Sequence, residues 1–308
     1  MTHRCPPCRR RCPRVVTAAA LVLSGFLVEV SPSFAACGPT GVVLQVLGSG
    51  GPNGTGGRAS ASYLIWVDGT PRVMIDAGGG SFARFQESGA DVERLDLLAL
   101  SHLHPDHSSE LPALMWTRAP QLTLAGPSGN AGFPAFDRFL AALFGATNSA
   151  FPVLQRLLDL PVVVVDVTAT EPTEVYAADG IRVTAIGVPH GDVPAVGYRV
   201  DVGDASVGFS SDQVGTNPAF TRLVRETDLL VAHTAVPENV TGRGAELHAR
   251  PSVWGQLATD AGVGTLVLSH VGSRVRDDLD ASLAPLKATF TGPLVVADDL
   301  QCIPVAGA

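Results

Sequence analysis

Ser-His-Leu-His-Pro-Asp-His, from Ser101 to His107, crowds three imidazoles and a carboxylate into one short segment of a chain that has only 8 His in 308 residues. A polar loop with solvated histidines does not account for that crowding, whereas ligand type and spacing point to metal. The segment follows an apolar run, Leu95 to Leu100, that reads as one strand. In an extended chain side chains alternate faces, so His102 and His104 point the same way and can chelate one ion as neutral imidazoles. Pro105 then breaks the strand and turns the chain, aiming Asp106 and His107 at a second ion beside the first, as two-metal hydrolysis requires.

His102, His104, Asp106 and His107 match the pattern His-x-His-x-Asp-His, and through them the chain resembles the metallo-β-lactamase superfamily from about Val42 to Val296. It is most similar to the ribonuclease Z-like branch, which also contains exported arylsulfatases and phosphodiesterases. Pro189-His190-Gly191-Asp192 precedes Gly197-Tyr198-Arg199, Phe209-Ser210-Ser211-Asp212-Gln213 carries an Asp after a short strand, and Leu266-Val267-Leu268-Ser269-His270 ends a strand on a His. The resemblance implies an αββα four-layer sandwich, with two mixed β-sheets face to face and helices outside. It also implies two zinc ions, or other divalent metals, one held by His102, His104 and His190 and the other by Asp106, His107 and His270. Asp212 would bridge them, and a hydroxide between the ions would be the nucleophile. Asp106 and His248 are the expected catalytic side chains. His248 matches a position where the branch has a His proposed to protonate the leaving group, although it also reads as a helix-flank His of no chemical use. His233, after the strand Leu229 to Ala232, reads as an edge residue or as a partner behind a ligand. Asp76 resembles the superfamily's buried structural Asp.

These residues need strand ends to carry them. Val42 to Leu47 reads as a strand entering the glycine-rich turn Gly48-Ser49-Gly50-Gly51-Pro52. With no Gly-Lys-Ser/Thr after it, that turn reads as an active-site rim rather than a phosphate cradle. Tyr63 to Val67 and Arg72 to Ile75 form a hairpin across Asp68-Gly69-Thr70. Helices are predicted over Ser81 to Ser88, Glu110 to Trp116, Ala135 to Phe144 and Ser252 to Ala261. In the third, Phe136, Phe139, Leu140 and Leu143 recur at helical spacing, which favours core packing over an aromatic lid. Leu122 to Ala125, Val162 to Val165, Ile181 to Ile186, Val196 to Val202, Ser206 to Phe209, Leu229 to Ala232 and Leu266 to Ser269 read as strands, with ligands at their ends. No internal sequence repeat is evident.

Residues 1–36 read as a signal peptide: Arg4, Arg9, Arg10, Arg11 and Arg14, then the apolar stretch Val15 to Val28, then Ser33-Phe34-Ala35. The stretch is too short for a confident membrane span, so residues 37–308 are expected to form one exported domain, periplasmic or secreted. The chain holds 5 Cys; Cys5, Cys8 and Cys12 leave with the leader. Cys37 and Cys302 could then form a terminus-to-terminus disulfide, or Cys37 could be lipidated, two mutually exclusive uses. The 21 basic and 29 acidic residues become 16 and 28 once the leader's five Arg and Glu29 are set aside. No basic stripe of the kind nucleic-acid enzymes present remains, and the branch's tRNA-binding arm has no counterpart.

The expected function is hydrolysis of a small-molecule phosphate or sulfate ester. A lactonase or β-lactam hydrolase is the first alternative, although β-lactamases usually lack the bridge expected at Asp212, and a zinc-binding protein without turnover is the second. A redox di-iron role is weaker, because His104 stands where the flavin-linked relatives carry Glu. A homodimer is compatible with the sequence.

Overall fold

The computed structural model describes Met1 and residues 37–53, 55–117 and 119–306. Apart from Met1, the leader with its arginines and Cys5, Cys8 and Cys12 lies outside the described residues. The strands are β1 (Val42–Gly48), β2 (Ser62–Val67), β3 (Thr70–Ile75), β4 (Leu97–Ala99), β5 (Thr123–Pro127), β6 (Val162–Val165), β7 (Thr173–Ala178), β8 (Ile181–His190), β9 (Val193–Val202), β10 (Ala205–Phe209), β11 (Leu229–His233), β12 (Thr265–Ser269), β13 (Leu294–Val296) and β14 (Gln301–Val305). The helices are α1 (Ser81–Glu87), α2 (Pro105–Ser108), α3 (Leu111–Leu114), α4 (Phe136–Phe144), α5 (Pro218–Leu223), α6 (Arg243–Leu247), α7 (Pro251–Ala261), α8 (Ser273–Arg276) and α9 (Leu279–Lys287).

Two mixed sheets result, sheet I in the order β14-β1-β2-β3-β4-β5-β6 and sheet II in the order β13-β12-β11-β10-β9-β8-β7. In sheet I the pairings from β14 to β3 are antiparallel and those from β3 to β6 parallel. Sheet II repeats the scheme: antiparallel from β7 to β10, parallel from β10 to β13. Each strand of one sheet therefore has a counterpart in the other, β2 with β9, β3 with β10, β4 with β11. The correspondence is one of topology, and no sequence repeat announces it.

Period-two alternation builds the layers. Leu44, Val46, Tyr63 and Ile65 of sheet I meet Val183, Val196, Tyr198 and Val207 of sheet II in a buried inner layer. Their neighbours Val43, Leu47, Leu64 and Trp66 point the other way, into a cluster with Phe85, Leu114, Phe136 and Leu140. On the far side Leu230, Leu266 and Leu268 pack with Phe220, Trp254 and Leu257. The helices thus lie outside both sheets, and α4 is a core helix rather than a lid, with Phe136, Leu140 and Phe144 buried.

Several elements differ from expectation. β4 ends at Ala99, so His102 lies three residues beyond it, outside regular secondary structure, and Pro105 does more than turn the chain. It occupies the first turn of α2, where its missing N–H costs nothing and its fixed φ suits the helix. β7, α9 and β14 have no clear sequence signal: β7 is an exposed edge with a register shift between Glu174 and Tyr176, α9 contains Pro285, and β14 contains Pro304. An edge strand tolerates the proline, because one side of it has no partner. A disulfide joins Cys37 to Cys302 on β14, with Cα atoms 5.6 Å apart. The sulfur that lipidation needs is engaged in that bond.

Candidate metal centre

The predicted residues converge where β4, β8, β10, β11 and β12 end. His102, His104 and His190 each offer a ring nitrogen within 4.8 Å of the others, and His107, Asp212, His233 and His270 form a second such group. His102 Nε2 faces His104 Nδ1 at 3.0 Å. Asp106 Oδ2 lies 3.2 Å from His270 Nε2 and 3.6 Å from His107 Nε2. Asp212 sits between the groups, its Oδ2 3.6 Å from His107 Nε2 and 3.9 Å from His190 Nε2, and its Oδ1 3.6 Å from His270 Nε2. His248 joins them from the end of α6, its Nδ1 3.7 Å from Asp212 Oδ2.

The chain bends sharply to achieve this. Asp76, Ser211 and His270 have φ of 61°, 58° and 52°, a left-handed conformation that costs a non-glycine residue about 1–3 kcal/mol. All three lie just beyond strand ends, where the turn aims a ligand or its support inward. Gly51 of the glycine-rich loop lies over His270, and a Cβ there would come 2.7 Å from His270 Cε1. That close approach, rather than phosphate binding, explains the glycine.

Behind the ligands the ring orientations are fixed. His107 donates Nδ1–H to Asp76 Oδ2 (2.8 Å), and Asp76 Oδ1 accepts the Ser101 N–H (2.6 Å) while Ser101 Oγ donates to Oδ2 (2.8 Å). His190 Nδ1 donates to the Leu247 carbonyl at 2.8 Å. His233 is buried, with Nδ1 2.9 Å from Asp212 Oδ1 and Nε2 2.9 Å from the Tyr63 hydroxyl. Both its nitrogens are engaged, so it supports a ligand instead of being one. Ser101, Tyr63 and Ser269, which bonds Tyr63 at 2.9 Å, also shape the site. Ser101 stands beside the motif, but nothing in the sequence marks Tyr63 or Ser269.

The residues fit a metal. His107 Nε2, His190 Nε2 and His248 Nδ1 are buried without a hydrogen-bond partner, an arrangement that is costly unless something else takes the lone pair. Electrostatics agree. Burial pushes the His102 and His104 imidazoles down and those of His233 and His248 down to about 4, which favours the neutral, ligating form. Burial works against protonated His107 too, yet Asp76 and Asp212 outweigh it and raise its pKa well above the ordinary value. Burial also opposes the charged Asp106 carboxylate, but the His270 hydrogen bond and the neighbouring imidazoles hold it at about 2. Asp212 is likewise held well below the usual range against burial by His270 and His107. Protons on such imidazoles are what metal cations displace.

A family model described as a beta-lactamase superfamily domain matches residues 71–271. A ribonuclease Z of Mycobacterium sp. (strain KMS) is 30% identical over 291 residues, covering 86% of this chain and 96% of the relative. Among solved structures, the short form of human tRNase Z superposes with a TM-score of 0.66 at 17% identity, covering 86% of this chain and 99% of that one. A diphosphatase of the PhnP family gives a TM-score of 0.59 at 17% identity, covering 86% and 98%. Two facing mixed sheets that deliver imidazoles and carboxylates from their strand ends to one buried point define a metal-dependent hydrolase. The chain belongs to the metallo-β-lactamase superfamily, in its ribonuclease Z-like branch.

Proposed function

We propose that this protein is an exported hydrolase of small phosphate or sulfate esters that works with divalent ions, zinc foremost. The observation that carries the reading is the convergence of two His groups on Asp212 beside a small cavity. That cavity, of about 250 Å³, is bounded by Gly51, Pro52, Val236, Leu247, His248 and His270. Its size suits a small ester, and its mixed wall, with Val236 and Leu247 beside His248 and Arg274, suits an ester that carries both a charged and an uncharged portion. The diphosphatase of similar fold acts on a related bond.

His102, His104 and His190 would hold one ion and Asp106, His107 and His270 the other, with Asp212 between them. Bound there, divalent ions supply Lewis acidity and bring the pKa of a water toward neutrality. The chain's own residues do the rest. Asp76 and the Leu247 carbonyl lock the tautomers of His107 and His190, so that their Nε2 lone pairs face the site. His248 reaches both the cavity and Asp212. Burial keeps it neutral in the free protein, and an anionic ester beside it favours the imidazolium, which makes it the group that can protonate a departing oxygen. Export is supported by the leader pattern of residues 1–36 and by the Cys37–Cys302 disulfide, which an oxidising compartment sustains.

The test assays the purified protein, with its metal content measured, on bis-p-nitrophenyl phosphate, p-nitrophenyl sulfate, an acyl-homoserine lactone and nitrocefin. Cleavage of either of the first two is expected, and cleavage of nitrocefin alone would overturn the reading. A second reading, cleavage of RNA, is favoured by the 30% identity to a ribonuclease Z. A tRNA precursor in the same panel decides it. The intact mass of protein recovered outside the cytoplasm tests removal of residues 1–36.

A further inference from the structure

The ligands come from two separate halves: His102, His104, Asp106 and His107 follow β4 of sheet I, whereas His190 ends β8 and Asp212 and His270 follow β10 and β12 of sheet II. Their separation therefore depends on what crosses the space between the sheets. Most of that space is filled by aliphatic side chains, whose packing is non-directional. Two hydroxyls cross it. Tyr63 of β2 reaches from sheet I to His233 Nε2 and Ser269 Oγ at the ends of β11 and β12, 2.9 Å from each. Tyr198 of β9 reaches from sheet II to the Leu100 carbonyl, one residue past β4, at 2.8 Å. β2 and β9 are topological counterparts, and within them the tyrosines hold matching registers. Tyr63 pairs with Ile75, the last residue of β3, and Tyr198 with Phe209, the last residue of β10. The chain has 3 Tyr, and these two are fully buried.

We propose that Tyr63 and Tyr198 are a reciprocal pair of positioning residues that set the spacing of the two ligand-bearing sheet edges, and with it the affinity for metal. The inference rests on the reading that the cluster holds divalent ions. Each hydroxyl ends on a group directly behind the site. Asp212 Oδ1 and the Tyr63 hydroxyl engage the two ring nitrogens of His233, so Asp212 is held in place through an imidazole that is itself fixed at both ends. Ser269, the other partner of Tyr63, immediately precedes His270. Leu100 lies two residues before His102, and the adjoining Ser101 carbonyl accepts a further cross-sheet bond from the Val196 N–H at 2.8 Å. A hydrogen bond constrains distance and angle where apolar contact does not.

Tyr63→Phe and Tyr198→Phe remove one oxygen each and keep the buried ring. Zn²⁺ affinity of the whole protein is measured by competition with a chromophoric chelator, alongside the visible spectrum of the Co²⁺-loaded protein and the thermal midpoint of the metal-free protein. Y63F is expected to weaken Zn²⁺ binding by about 10–100-fold and to change the Co²⁺ spectrum, and Y198F to weaken binding by roughly tenfold. Ser269→Ala, which leaves the Tyr63–His233 bond in place, is expected to have the smallest effect of the three. Variants that melt lower when metal-free yet bind Zn²⁺ with wild-type affinity and spectrum would overturn the proposal, because the hydroxyls would then only stabilise the fold. If the wild-type protein binds no divalent ion, the metal reading fails and takes this one with it.

Discussion

The halves around β3–β4 and β10–β11 contain the same device wired in opposite directions. Each has an Asp just past the last strand of its antiparallel run, hydrogen-bonded to a His at or beyond the end of the next strand: Asp76 to His107 at 2.8 Å and Asp212 to His233 at 2.9 Å. In the sheet I half the carboxylate is the anchor. Asp76 spends its oxygens on the Ser101 N–H, the Ser101 hydroxyl and His107, and the imidazole presents its free Nε2 to the site. In the sheet II half the imidazole is the anchor. His233 spends both nitrogens, and the carboxylate faces the site. One topology thus supplies a neutral ligand from one side and an anionic one from the other, the mixture that two adjacent dications need. What decides the direction is a third group, a backbone N–H that claims Asp76 and a tyrosine hydroxyl that claims His233.

The strongest way to break this comparison is to remove each carboxylate in turn. Asp212→Ala is expected to lower turnover on the order of 10³-fold or more and to cost bound metal, because Asp212 is within reach of both His groups. Asp76→Ala leaves a buried N–H and imidazole unpaired and is expected to destabilise the protein by about 3 kcal/mol, weakening metal binding only about 10–100-fold. After chelation and dialysis, added Zn²⁺ should restore activity to wild type and to the Asp76 variant but not to the Asp212 variant. Equal behaviour of the two variants would mean that the halves are not wired differently.

The sheet edges differ next. Only β14, at the edge of sheet I, is tied by a disulfide among the described residues. Closing a loop of 265 residues is expected to contribute about 5–6 kcal/mol in the chain-entropy model, so Cys302→Ala or a reductant should lower the denaturation midpoint while leaving metal stoichiometry at the wild-type value.

The smallest effect sharpens the contrast between the two anchored imidazoles. In metal-free protein at pH 5.5, ¹⁵N spectra should show His107 charged and His233 neutral, since carboxylates raise the first and burial depresses the second to about 4. The sign follows for stability. The contribution of His233 is complete above the ordinary imidazole value and is lost as pH falls through about 4; that of His107 is complete below the ordinary value and is lost as pH rises through its raised pKa. A neutral His107 at pH 5.5 would contradict the account.

Much of this is legible in the sequence because it is local. Strands such as Val162 to Val165 announce themselves by a run of β-branched residues, the hairpin from Tyr63 to Ile75 by its Asp68-Gly69 turn, and the motif from His102 to His107 by ligand density. β7 and β14 are not, since edge strands with an exposed face or a proline carry no period strong enough to read. The sequence leaves His233 between an edge and a supporting residue, because its role depends on Tyr63, 170 positions away.

The sequence by itself determined which side chains could bind metal and in what order they occur, because donor chemistry and strand periodicity are properties of a residue and its neighbours. Only the tertiary structure decided which partners anchor Asp76 and His233, that Tyr63 and Ser269 support the site, and that the two sheets mirror each other in topology. Those outcomes depend on hydrogen-bond partners brought together from distant strands, and no short window of the chain contains them.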